Sequence, residues 1–189
     1  PKGDQYAKYL KAVATYHELP VRTGVRVSAL EKEGEQFIAT TNQGDFFADI
    51  VVWATGQFFS PRDQAFPGAE LALHSSKVND WKELEGDEFT VIGGYESGID
   101  AAYHLAKCGK KVKVFDINCP WGDESSDPSI ALSTFSYERM QHPSFGENVE
   151  LFSETTIKSI IFDNDMYELT TEDGRSFTSK NQPLMASGF

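Results

Sequence analysis

Cysteine is scarce in this chain. Only Cys108 and Cys119 occur in 189 residues, and they form no CxxC pair. That spacing speaks against a disulfide scaffold and a structural zinc site, and it fits a reducing, cytoplasmic setting. Long apolar runs are missing too: none approaches the ~20 residues that span a bilayer, and no secretory leader is seen. Basic residues are few. Lys and Arg number 17 against 29 Asp and Glu, for a net charge of −12. Such a surface repels phosphate backbones and anionic lipid, so neither nucleic acid nor a membrane is expected as a partner. The four histidines, His17, His74, His104 and His142, are scattered without the i,i+4 pairing of a metal site. Hydrophobic residues still make up 40%, enough to build a core. The chain opens at Pro1 and stops at Gly188-Phe189 after an apolar stretch, so both ends read as cuts through a longer protein.

What is present is organised by a repeat. A shift of 130 residues lays Val21–Ala48 on Leu151–Thr178 without a gap. Thr40-Thr41 falls on Thr170-Thr171, Gly44 on Gly174, Phe47 on Phe177 and Val27 on Ile157. Each copy reads as three short strands with a turn at Asn42-Gln43-Gly44 or Glu172-Asp173-Gly174. Each then runs into an apolar strand ending in small residues and glycine: Ile50 to Gly56 in one copy, Pro183 to Gly188 in the other. Both of these are expected to be buried strands. Ahead of the first copy, Tyr6, Leu10 and Val13 recur at helical spacing, predicting a helix from Asp4 to Leu19 with Asp4 as its cap and Pro20 beyond its end.

Only the second copy follows a complete α/β unit. Phe89 to Ile92 is a short buried strand, Gly93-Gly94-Tyr95-Glu96-Ser97-Gly98 follows it, and Ile99 to Cys108 continues as a helix stopped by Gly109. Lys111 to Phe115 is the next strand, with Asp116 at its end. Strand, glycine turn, helix, strand and acid is the dinucleotide-binding order. The first glycine allows the tight turn, the amides at the helix start face a diphosphate, and Gly98 lets helix and strand pack closely. Asp116 stands where an acid accepts hydrogen bonds from an adenosine ribose. Tyr95 replaces the middle glycine of G-x-G-x-x-G, which requires a negative φ and a ring directed away from the diphosphate. Ser97 does not lie in the register of a hydrolase nucleophile elbow. The Asp-, Ser- and Pro-rich loop from Asn118 to Thr134 reads either as a solvated surface loop or as a wall of the cofactor cleft.

With these residues on view, the chain resembles the flavoproteins with two dinucleotide-binding domains, especially their flavin-containing-monooxygenase-like and thioredoxin-reductase-like branches. The resemblance is carried by Val51-Val52-Trp53-Ala54-Thr55-Gly56, Phe66-Pro67-Gly68, His74-Ser75, Val91 to Ala102 and Ala186-Ser187-Gly188-Phe189, and it covers essentially the whole chain. It implies an α/β fold: a Rossmann-like parallel sheet with a three-stranded β-meander, plus part of a related FAD domain. By the same resemblance, residues 1–56 are the end of the first FAD-domain segment, 57–183 an inserted NAD(P)-binding domain, and 184–189 the start of the return. Gly93, Gly94, Tyr95, Glu96, Ser97, Gly98 and Asp116 would hold the nicotinamide dinucleotide, and Val27, Ala54, Thr55 and Gly56 would lie beside FAD.

Two departures bear on the branch. The redox CxxC of small thioredoxin reductases is missing, and the Baeyer–Villiger F-x-G-x3-H-x3-W pattern is loosened here to Phe66, Gly68, His74 and Trp81, with His74 read as a histidine at the domain crossing. The activity implied is hydride transfer from NAD(P)H to FAD, with no acid–base catalyst in this chain. The alternatives are a thiol/disulfide reductase-type flavoprotein and a degenerate, non-catalytic binding module. The electron acceptor or small-molecule substrate is left open, as is the oligomeric state, a homodimer included. NADH is favoured over NADPH, because no Lys or Arg occurs from Asp116 to Glu138. The FAD domain's own glycine loop does not occur in these 189 residues, so the chain by itself is expected to purify without FAD. Absorption at the flavin maximum in the purified chain would contradict this.

Overall fold

A computed structural model describes residues 3–56, 61–62 and 64–188. The chain divides into two compact units, Pro1–Thr55 and Gly56–Phe189.

The first unit holds helix α1 (Gly3–Tyr16) and a three-stranded antiparallel meander, β1 (Val27–Glu33), β2 (Gln36–Thr41) and β3 (Gly44–Ala48). The helix is shorter than its sequence pattern predicts and carries Asp4 inside its first turn rather than as the cap. Glu18 takes a positive φ just past its end, which stops the helix before Pro20. The stretch expected to be a buried strand, Ile50 to Gly56, is neither: it pairs with no strand, and Val52 and Trp53 are 83% and 70% exposed. A parallel strand is stabilised only by neighbours on its edges, and the meander, complete in itself, offers none.

The second unit supplies those neighbours to the equivalent segment. Its sheet has the order β4 (Leu73–His74), β11 (Leu184–Met185), β5 (Glu88–Ile92), β6 (Lys111–Phe115) and β7 (Val149–Phe152), all parallel. Leu184 and Met185 sit between β4 and β5 and are fully buried. Side chains alternate across this sheet as its pleat demands. Val91, Val112, Val114 and Leu184 face helix α2 (Glu96–Lys107), packing on Ile99, Ala101, Ala102 and Leu105. Helices α3 (Thr134–Met140) and α4 (Pro143–Asn148) complete that layer. Ile92, Phe115 and Met185 face the other way, toward a second meander, β8 (Ile157–Asp163), β9 (Met166–Thr171) and β10 (Ser176–Ser179). Phe115, Phe152 and Phe177 form a ring cluster there, with centroids 4.7 to 5.2 Å apart.

The repeat read from the sequence persists in the backbone. In the first meander Val27 pairs with Thr41 and Ala29 with Thr40; in the second Ile157 pairs with Thr171 and Ser159 with Thr170. Both copies therefore carry the same irregularity at the same place, 130 residues apart.

Two glycines fix how β5, α2 and β11 meet, and a third ends α2. Gly93 has φ +98°, and a Cβ there would stand 2.6 Å from the Ala186 carbonyl oxygen. Gly109 ends α2 at φ +76°. Gly98 lies against the Gly93 carbonyl, where a Cβ would collide with backbone. Backbone cannot yield as a flexible side chain does. Gly98→Ala should therefore cost about 3 kcal/mol of stability, at the upper end of overpacking effects, read as a lowered urea midpoint with an unchanged slope.

Candidate functional site

The chain reverses direction of strand addition at β5: β6 and β7 extend the sheet one way, β11 and β4 the other. Crevices at such switch points, beyond the carboxyl ends of the strands, are where open α/β sheets bind ligands. Here the crevice is a cleft of about 450 Å³. Gly93, Tyr95, Glu96 and Ser97 line it from the glycine turn and the start of α2; Phe115 and Asp116 from β6; Ala186 to Gly188 from the far side. The first amides of α2 have no carbonyl one turn back to receive them, and the helix dipole adds partial positive charge at the same end.

Asp116 is 9% exposed and accepts three backbone hydrogen bonds. Its Oδ2 takes the Gly94 amide at 2.6 Å; its Oδ1 takes the Asn118 and Cys119 amides at 2.8 and 2.7 Å. The expected ribose acceptor is thus first of all the clamp of the glycine turn, with one Oδ2 lone pair left over. Tyr95 has φ −84°. Its hydroxyl donates to the Ala131 carbonyl at 2.8 Å and also meets the Pro128 carbonyl. The ring is drawn toward the 128–131 loop and stands between the cleft and a neighbouring one of about 470 Å³. Burial, then the Glu96 and Asp127 carboxylates, push its phenol above the ordinary tyrosine range, so it stays a donor at neutral pH.

The loop after β6 is a wall of this site. Trp121 lays its indole over Gly94 and donates Nε1–H to the Gly94 carbonyl at 2.8 Å. Glu96 accepts from the Ser133 amide and from the Ser133 and Ser136 hydroxyls at 2.8 and 2.7 Å. Gly94, Tyr95 and Glu96, three successive residues, are each tied to residues 121–136. Sequence reading missed Trp121, Ser133 and Ser136. The signal available was position: a tryptophan in the segment directly following the acid at the end of β6.

The predicted site residues do not all meet. Gly93, Tyr95, Glu96, Ser97 and Asp116 line one cleft, while Gly94 packs under Trp121 and Gly98 against the Gly93 carbonyl. Val27 and Ala54 to Thr55 belong to the first unit, where Val27 borders a hollow of about 250 Å³ with Arg22, Ala39 and Phe46. Ala54, Thr55 and Gly56 are exposed. His74, read as a crossing histidine, is buried on β4, and its Nε2 lies 3.1 Å from the Gly188 carbonyl oxygen. Phe189 lies outside the described residues. Among the described residues no cluster of His, Cys, Asp and Glu could hold a metal, and no helix is long and apolar enough to cross a membrane.

The second unit is an α/β domain: a parallel five-stranded sheet with a glycine turn, a switch-point cleft and an antiparallel meander on its open face. The chain belongs to the pyridine nucleotide-disulphide oxidoreductase family, whose profile matches residues 1–189. It is 32% identical over 128 residues to an uncharacterized CzcO-like oxidoreductase of Geobacillus kaustophilus, covering 62% of this chain and 37% of that one. It is 28% identical over 118 residues to the indole-3-pyruvate monooxygenase YUCCA1 of Oryza sativa, covering 59% and 29%. Among solved structures, the bacillithiol disulfide reductase Bdr of Staphylococcus aureus superposes with a TM-score of 0.78 at 22% identity, over 100% of this chain and 55% of that one. Thioredoxin reductase of T. acidophilum gives 0.69 at 18%, over 100% and 60%. The chain thus spans about a quarter to three fifths of the proteins it matches.

Glu96 yields a prediction. Burial works to raise its pKa, but the Ser133 amide, the Ser136 and Ser133 hydroxyls and Arg139 outweigh it and hold the carboxyl below the ordinary glutamate value. A depressed folded-state pKa adds stability above the unfolded value, about 4.3, and that share is lost as pH falls through the folded value. Glu96→Gln should flatten the stability loss below about pH 4.3, measured as unfolding midpoint against pH.

Proposed function

We propose that this chain is the nicotinamide-dinucleotide-binding portion of an FAD-dependent oxidoreductase, and that NADH is its ligand. The observation that carries this reading is the cleft between β11 and β5, with Gly93 to Ser97 on one side and the Ala186–Gly188 backbone on the other. The residues present fit the ligand: the cleft is roomy enough for part of a dinucleotide, and Gly93 and Gly98 let turn and helix approach as closely as the site needs. Val27, Ala54, Thr55 and Gly56 are exposed, so no step is assigned to them.

In this reading the nicotinamide supplies a hydride to FAD when both are bound. The chain's own contribution is to bind and orient. The α2 amides receive the diphosphate, Asp116 keeps Gly94 in the turn, and Trp121 and Tyr95 hold the adjoining wall in place. The reading needs no proton-transferring side chain in the cleft. A degenerate module blocked by Tyr95 is disfavoured by the pull of its hydroxyl toward Ala131.

The preference for NADH rests on charge. The cleft beyond Tyr95 is lined by Asp116, Asn118, Asp123 and Ser129, without a cation. Arg139, the first base after this stretch, is paired with Asp100 at 2.9 Å. A 2′-phosphate would meet carboxylates, at about 1 kcal/mol per close pair in water and more in a cleft. Calorimetric titration of the protein with NADH and NADPH should therefore give a Kd roughly tenfold or more lower for NADH. Asp123→Asn should narrow the gap. A preference for NADPH would refute the assignment.

A further inference from the structure

The dinucleotide reading leaves a charge problem in the cleft. A diphosphate carries two negative charges, and two of the residues lining the cleft, Glu96 and Asp116, are themselves acidic. Glu96 stands in the first turn of α2, where its charge offsets the positive end of the helix dipole that a diphosphate would use. Both carboxylates are held by hydrogen bonds, Asp116 by three amides and Glu96 by Ser133 and Ser136, so neither is free to swing away.

Among the described residues lining the cleft there is one cation, Arg62. Its main chain is fixed on the side opposite α2. The Arg62 amide donates to the Gly188 carbonyl at 3.1 Å, and the Arg62 carbonyl accepts from the Ser187 hydroxyl at 2.8 Å. Those two bonds anchor its Cα to the segment that follows β11, across the switch point from the glycine turn. Among the described residues no carboxylate lies within ion-pair distance of its guanidinium. It is an exposed arginine at the rim of a cleft, tied by its backbone and left with its five N–H donors for something else.

We infer that Arg62 is the second half of the anion site: its guanidinium closes on the dinucleotide diphosphate from the β11 side while the α2 amides hold it from the other. Nothing in the glycine-turn pattern calls for this residue. The inference rests on the reading of the cleft as a dinucleotide site and deepens it. Arginine suits the task because its planar fork pairs with phosphate oxygens two at a time, and because its charge offsets Glu96 and Asp116.

The test is calorimetric titration of the protein with NADH and, separately, with ADP-ribose, which keeps the diphosphate and lacks the nicotinamide. Arg62→Ala should weaken both by roughly tenfold or more, the usual worth of a charge-assisted contact. Arg62→Lys should recover part of the loss, and Arg62→Gln should not. The dependence of affinity on salt should be shallower in Arg62→Ala, because a charge pair has gone. The unfolding midpoint without ligand should stay that of the parent, since the Arg62 bonds seen here are made by its backbone. If the parent protein binds both ligands and Arg62→Ala matches it within twofold, with the same salt dependence, Arg62 has no such role and the cleft reading survives. If the parent binds neither ligand, the cleft reading itself falls, and this inference with it.

Discussion

One carboxylate holds the site together. Asp116 accepts amides from Gly94, Asn118 and Cys119, and so joins the glycine turn after β5 to the loop after β6. Its own amide and carbonyl bond Phe152 and Thr155, which ties the same residue to β7 and to the approach of the second meander. A buried carboxylate without such donors would be costly; with three amides it becomes a rigid node. The position of the α2 start, the course of the 118–136 loop and the shape of the cleft between them all follow from it.

The glycines act around that node by what they lack. Gly98 permits α2 to press against the Gly93 carbonyl, and Gly93 permits the turn to pass the Ala186 backbone. Together they bring the helix start, the end of β5 and the segment after β11 to one place. The aromatic residues then do the opposite work. Trp121 and Tyr95 fill and brace what the missing side chains leave open, each spending its polar atom on a backbone carbonyl as buried Trp and Tyr ordinarily do.

Much of this was legible in the sequence where the local pattern and the tertiary role coincide. Phe89 to Ile92, the glycine turn, its helix and Lys111 to Phe115 announce themselves because each is short, periodic and bounded by glycine. The two meanders could be found from each other, and they match down to the irregularity after Val27 and Ile157. Less could be read where one sequence pattern serves two environments. Ile50 to Gly56 and Pro183 to Gly188 look alike as strings, but only the latter has β4 and β5 to lie between. Likewise an aspartate at a strand end looks the same whether its oxygens face a ribose or three amides. Trp121, Ser133 and Ser136 were unreadable for another reason: their partners are 27 to 40 residues away, and no periodicity encodes that distance.

The contrast between those two look-alike segments has a practical side. Ile50-Val51-Val52-Trp53 carries no charge, is rich in β-branched and aromatic residues, and leaves its backbone donors and acceptors unpaired by any strand. That combination is a template for pairing between molecules, the liability that natural sheets blunt with lysine, proline or a covering element. Asp49 at one end is the nearest gatekeeping charge. Pairing of that kind, where it occurs, rises with concentration and is separate from the stability of either folded unit.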